Sequence, residues 1–195
     1  MPLLRVIATT LLLLGAGAVV VFAPAAASPG LRGYVPYAAP QVPPPLAFSD
    51  GEGQRLDLGA FAGKVVLLNL WATWCGPCVA EIPALDDLQA RFGGEDFQVV
   101  AVSVDRGAGG VVEPFLERIG ASHLPVYLDP SSRILRQLGV SGVPTSFLLD
   151  REGRIIGRAE GDPGWDSAAA RRLIEDAIGE RAAPQLPAGL IRTSG

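Results

Sequence analysis

The chain has 195 residues, 49% of them hydrophobic and 18% charged, with a formal net charge of −4. That length suits one ordinary domain with appendages, and the apolar share is enough for a sizeable core. An acidic balance without a basic cluster argues against nucleic acid as a partner, and the domain shows no internal repeat and no sustained heptad.

In chain order, the first element reads as an export segment. Arg5 is the only charge before Arg32, and Val6 to Ala23 is an uncharged apolar run ending at Pro24. Ala25-Ala26-Ala27 then resembles a signal-peptidase site. The run is longer than a usual signal core and just long enough to span a bilayer. Residues 1–27 are therefore expected to be a signal anchor or a cleaved signal peptide. Either reading places the domain outside the cytoplasm, where disulfides persist. Residues 28–44 are expected to be a linker, rich in proline at Pro29, Pro36, Pro40, Pro43 and Pro44. Such chain tends to polyproline II, roughly 3.1 Å per residue, and holds a domain away from a membrane surface. A spacer is useful to a tethered protein, which tilts the reading toward the anchor.

The domain proper is expected over residues 45–181, with a flexible tail at 182–195. Leu46-Ala47-Phe48 and Gln54 to Asp57 flank Ser49-Asp50-Gly51, an edge hairpin. Lys64 to Leu70 is nearly all apolar and reads as a strand covered on both faces. A helix runs from Cys75 to about Phe92, with Pro83 inside it as a kink site. Phe97 to Val104 is a second buried strand and Val111 to Ile119 a helix. Val126 to Leu128 is a short strand, and Ser131 to Leu138 a short helix that Ser131 or Asp129 caps. Pro144 opens a strand over Thr145 to Leu149, and Arg154 to Ala159 pairs back antiparallel across Asp150-Arg151-Glu152-Gly153. A last helix runs from Asp166 or Ser167 to Ile178, with Leu173, Ile174 and Ile178 on one face. This order is an α/β fold, a mixed sheet flanked by helices with an N-terminal hairpin.

The chain's two cysteines fall together in Trp74-Cys75-Gly76-Pro77-Cys78, at the mouth of the first long helix. At a helix N-terminus the first N–H groups lack partners and the macrodipole is positive. A thiolate at Cys75 is stabilised there, below the free value of about 8.5. Cys78 lies within about 60° of Cys75 around the helix axis and one turn deeper. Cys75 is thus the attacking nucleophile and Cys78 the resolving thiol of a thiol–disulfide exchanger. Gly76 lets another chain approach, and Pro77 suits a first turn because its missing N–H has no partner to lose. A zinc site needs about four ligands, and two cysteines and one histidine do not supply them. Haem attachment fails because residue 79 is Val. No metal and no cofactor beyond the cysteine pair itself are expected.

Trp71-Ala72-Thr73-Trp74-Cys75-Gly76-Pro77-Cys78, followed by Glu81-Ile82-Pro83, resembles the thioredoxin superfamily. More narrowly it resembles the exported branch of TlpA- and ResA-like thiol–disulfide oxidoreductases. Gly142-Val143-Pro144-Thr145 resembles that family's second landmark. On its own a Val-Pro at a strand start is most often a trans strand boundary. The resemblance implies instead a cis-proline at Pro144 facing the cysteines, with Val143 offering backbone groups to an incoming strand. Glu81, three residues past Cys78, reads by itself as a solvated glutamate near a helix start. The resemblance implies that it is buried beside the cysteines, tunes their pKa and relays protons. Asn69 stands where ordinary thioredoxins carry a buried Asp, which leaves proton handling to Glu81. Trp74 is expected to be exposed as part of a docking surface, and Trp71 to be core. His123 is expected to be a surface residue without a ligand role.

The resemblance implies a reductase of protein disulfides, in cytochrome c maturation or in assembly of an oxidase copper site. Its partners would be client proteins with cysteine pairs and a membrane thiol donor of the CcdA or DsbD type. It would sit on the periplasmic side of a bacterial inner membrane, or free in the periplasm if the signal is cleaved. A copper metallochaperone of the Sco type and a thiol peroxidase remain the alternatives. The first uses a wider cysteine spacing and a histidine, the second a Thr-X-X-Cys nucleophile; Thr73 is only two residues before Cys75. A DsbA-type oxidase needs a large helical insertion for which the interval between the motifs has no room.

Overall fold

The structure is a computed structural model, and it describes residues 30–179. The expected export segment and C-terminal tail lie outside the described residues. The elements are β1 (Tyr34–Gln41), β2 (Ala47–Asp50), β3 (Arg55–Asp57), a short 3₁₀ turn (Leu58–Phe61), β4 (Val65–Trp71), α1 (Gly76–Phe92) and β5 (Phe97–Ser103). They continue with α2 (Gly109–Ile119), β6 (Tyr127–Leu128), α3 (Arg133–Gln137), β7 (Thr145–Leu149), β8 (Ile155–Glu160) and α4 (Ala168–Gly179).

The strands form an eight-stranded sheet in the order β1-β8-β7-β4-β5-β6-β2-β3. β4 lies near the middle and is buried along its whole length, as expected of an apolar run covered on both faces. It pairs parallel with β5, from Val65 opposite Phe97 to Trp71 opposite Ser103. On its other side it pairs antiparallel with β7, where Asn69 faces Ser146. Two registers therefore converge at the C-terminal end of β4. The parallel one brings the exit of β5 beside Trp71; the antiparallel one brings the entry of β7 beside Leu70. The site is built on these strand ends.

The helices close the core. α1 contributes Ile82, Leu85 and Leu88, and stays helical through Pro83, whose ring removes one backbone bond. α4 buries Ala170, Ile174 and Ala177, while Leu173 and Ile178 pack at the margin of the core. Ile174 is thus the centre of the buried stripe, with small residues on either side of it along the helix. Of the two expected caps on α3, Asp129 does the work: its Oδ2 accepts from the Ile134 N–H at 2.8 Å. The β2–β3 hairpin forms at the sheet margin, with Ala47 opposite Asp57.

One expectation is corrected. Residues 34–41 of the expected linker are a strand, β1, antiparallel to β8, and Leu31 before it is buried. The fold therefore starts ahead of residue 45. Proline is tolerated in an edge strand, where its missing N–H costs no ladder bond. The register accordingly breaks between Pro36 and Gln41. The ring of Tyr34 lies across Gly157, where a Cβ would collide with it. A side chain at Gly157 would displace that ring from its place.

Candidate active site

Cys75 is the N-cap of α1, with extended backbone angles, and Cys78 sits in its first turn. The two are joined as a disulfide, with Cα atoms 5.2 Å apart. The Cys78 N–H points at Cys75 Sγ at 3.3 Å. One of the orphan amides of the helix start is therefore aimed at the outer sulfur, as anion stabilisation there requires. Cys75 retains 7% exposure and Cys78 none. The little exposure that remains at the pair belongs to Cys75, the outer residue.

Around the sulfurs, Trp74 is 70% exposed, and Gly76 and Pro77 are also at the surface. A Cβ on Gly76 would meet nothing within 4 Å, so the chain's own packing does not demand glycine there. The space it leaves open is outside the molecule. The Val143–Pro144 peptide bond is cis, and the Val143 carbonyl oxygen lies 3.6 Å from Cys75 Sγ. Pro144 is buried and Val143 half-buried. The Gly161 N–H donates to the Pro144 carbonyl at 3.0 Å, which ties this segment to the exit of β8. Trp71 is core, its indole N–H donating to the Ala101 carbonyl at 3.3 Å.

Beneath the pair lies a buried polar cluster. Glu81 is 1% exposed and shares the α1 face that Cys78 occupies one turn earlier. Its Oε1 accepts from Asn69 Nδ2 at 2.6 Å, and the same Nδ2 donates to Ser146 Oγ at 3.0 Å. Glu81 Oε2 and Asn69 Oδ1 find no partner among the described residues. Burial pushes the Glu81 carboxyl up to about 8; the Asn69 hydrogen bond pulls the other way, and the charge of Asp162 adds to the rise. The carboxyl is thus held neutral at mildly acidic pH and titrates near neutrality, in the range useful for moving protons.

Two carboxylates escaped the sequence reading. Asp105, just after β5, accepts from the Thr73 N–H and the Thr73 hydroxyl, each at 2.8 Å. The Ser-Val-Asp that follows a buried strand was the available signal, but its target depended on the β4–β5 register. Asp86 of α1 accepts from the backbone N–H groups of His123 and Leu124, and its Oδ2 lies 2.8 Å from His123 Nδ1. His123 is therefore engaged about 12 Å further along the helix than Cys78, at 1.5 Å per residue. Among the described residues no group of three His, Cys, Asp or Glu side chains could hold a metal ion. A cleft of about 940 Å³ opens at the opposite end of β4, beside Lys64, Val66, Leu149 and Arg151.

Comparison with known proteins follows the same lines. The Redoxin family model matches residues 38–174. A thiol-disulfide oxidoreductase ResA of Bacillus thuringiensis is 33% identical over 119 residues, covering 61% of this chain and 68% of that protein. Among solved structures, a Chlorobium tepidum protein described as a thiol:disulfide interchange protein DsbE superposes with a TM-score of 0.64 at 36% identity, over 72% of this chain and 97% of the other. An exposed lipoprotein thioredoxin of Streptococcus pneumoniae superposes with a TM-score of 0.55 at 28% identity, over 68% of this chain and 99% of the other.

Proposed function

The chain belongs to the Redoxin family as a thiol–disulfide oxidoreductase of the ResA type, and from that premise we propose that it reduces selected protein disulfides outside the cytoplasm. The observation that carries this reading is the asymmetry of the pair: an approachable Cys75 at the helix cap over a sealed Cys78.

In the reduced protein the Cys75 thiolate attacks one sulfur of a client disulfide. The client S–S bond breaks, a Cys75–client bond forms, and the departing client thiolate takes a proton. Cys78, deprotonated, then attacks Cys75 Sγ; the intramolecular disulfide forms and the second client thiolate leaves. Two electrons have passed to the client. Glu81, the ionisable group one turn below Cys78, is the acceptor for the Cys78 proton. Its carboxyl at about 8 can hold that proton or release it close to neutral pH. Trp74, Gly76 and Pro77 form the surface against which the client lies, and Val143 and Pro144 line the side facing Cys75. Clients are proteins with cysteine pairs, of the class met in cytochrome c maturation or in assembly of an oxidase copper site. Electrons return from a membrane thiol carrier of the CcdA or DsbD type.

Two observations weigh against the alternatives. The histidine that a copper chaperone would use is bonded to Asp86. The hydroxyl that a thiol peroxidase would need beside its nucleophile, Thr73 Oγ1, donates to Asp105 instead. For location, residues 1–27 supply the proposed signal or anchor; among the described residues no helix is long and apolar enough to cross a membrane.

The test is the direction of the reaction. Equilibration of the pair against glutathione is expected to give a potential more negative than about −200 mV, on the thioredoxin side of the scale. A value near −120 mV, that of a strong oxidant, would overturn the reductase reading while leaving the exchange chemistry intact.

A further inference from the structure

The segment between β4 and α1 is a tight turn. The Cys75 N–H donates to the Ala72 carbonyl at 3.2 Å, with Thr73 and Trp74 at its centre. A turn of this kind on the surface would ordinarily be free to rock, because Trp74 has no cover of its own. Here it is held from one side. Asp105 Oδ2 accepts from the Thr73 N–H and Oδ1 from the Thr73 hydroxyl. Asp105 is itself fixed: Ser103 Oγ donates to its Oδ2 at 2.8 Å and accepts from its N–H at 3.0 Å. The Val104 N–H donates to the Trp71 carbonyl at 2.9 Å, which joins the same two strand exits by backbone. Asp105 is 4% exposed, and its bonds to Thr73, with the Val104–Trp71 bond, join the ends of two parallel, buried strands. Burying a carboxylate is costly unless its oxygens are hydrogen-bonded, and here both oxygens accept from Thr73, one residue of a surface turn.

We propose that Asp105 is a positioning residue for client recognition: by pinning Thr73 it fixes the turn so that Trp74 stands as a preformed docking ring beside Cys75. Clients then meet a rigid aromatic surface and do not have to immobilise it on binding. The assignment rests on the reading of Trp74 as a docking surface for protein disulfides. The role is geometric. Asparagine at this position keeps every contact: its oxygen accepts from the Thr73 N–H and Ser103 hydroxyl, and its amide donates to the Thr73 hydroxyl.

The experiment measures insulin reduction by the full chain, recycled with dithiothreitol, as a split between KM and kcat. Trp74→Ala sets the reference and is expected to raise KM at least about tenfold. Asp105→Ala is expected to raise KM about tenfold with kcat lowered less than about threefold. Thr73→Val, which deletes only the hydroxyl bond, is expected to raise KM about threefold, and Asp105→Asn to stay within about twofold of the original. If Trp74→Ala leaves KM unchanged, the docking premise itself is wrong. If Trp74→Ala raises KM but neither Asp105→Ala nor Thr73→Val does, Asp105 does not position the ring. If Asp105→Asn behaves like Asp105→Ala, the carboxylate acts by charge and the geometric assignment is overturned. Should Asp105→Ala fail to fold, Thr73→Val and Asp105→Asn decide between the same outcomes.

Discussion

Replacing Glu81 by glutamine isolates the one strongly shifted group in the site. The carboxyl is raised from the ordinary 4.5 to about 8, chiefly by burial. Below the lower value it is neutral in both folded and unfolded chains, and the native state carries no penalty. As pH rises the unfolded chain ionises first, so stability falls until the native carboxyl itself ionises near the upper value, and is flat beyond. One pKa unit is worth about 1.4 kcal/mol, so the full window amounts to on the order of 5 kcal/mol, and about 4 kcal/mol of it falls between pH ~5 and pH ~8.5. Glutamine cannot ionise, and its side-chain oxygen still accepts from Asn69 Nδ2. Its amide takes the place of Oε2, which has no partner among the described residues. That buried donor costs about 1–3 kcal/mol, but equally at every pH. The slope is therefore the readout, and not the absolute stability. Urea unfolding of oxidised wild type and Glu81→Gln across this range should give curves that separate by about 4 kcal/mol from acid to alkaline pH, the variant gaining. Every other titrating group is common to both proteins and cancels. Parallel curves would refute the argument, because they would mean that Glu81 ionises in the native protein as freely as in the unfolded one.

Three further outcomes follow from the same geometry. Alkylation of the reduced protein at moderate pH should modify Cys75 well before Cys78, read by peptide mass; equal rates would remove the assignment of nucleophile. In Glu81→Gln the pH profile of that alkylation should move to lower pH, because an ionised carboxylate beside the pair no longer opposes the thiolate; superimposed profiles would show no coupling between Glu81 and the pair. Carbonate washing of membranes from expressing cells should leave the chain in the membrane at its full 20.3 kDa; a soluble species beginning near Ser28 would show that the N-terminal segment is cleaved.

The parts of the fold that were legible in the sequence are those where local chemistry and tertiary role coincide. β4 is apolar at nearly every position because both its faces are covered, and α1 begins where a thiol can cap it. The Val143-Pro144 landmark was readable through the family resemblance, since a Val-Pro pair alone points to an ordinary strand boundary. The prolines of β1 suit polyproline II, and an edge strand asks for nearly the same extended backbone. What separates the two is the partner, and Gly157, opposite Pro36 and under the Tyr34 ring, shows itself only once β8 is in place. The same holds for the site's supporting side chains. Asn69 and Ser146 lie far apart in the chain and meet through the β4–β7 register. Asp105 reaches Thr73 through the β4–β5 register. Side-chain contacts set by strand pairing leave no local pattern to read.

The central claim is that Cys75 makes the covalent bond to a client and Cys78 breaks it. The direct measurement is adduct formation between insulin and two single-cysteine variants, Cys78→Ala and Cys75→Ala, resolved by mass on non-reducing gels. Cys78→Ala should accumulate a mixed disulfide through Cys75 that dithiothreitol reverses, and Cys75→Ala, with its remaining thiol sealed beneath the helix cap, should form none. An adduct on Cys75→Ala, or none on either variant, would contradict the account.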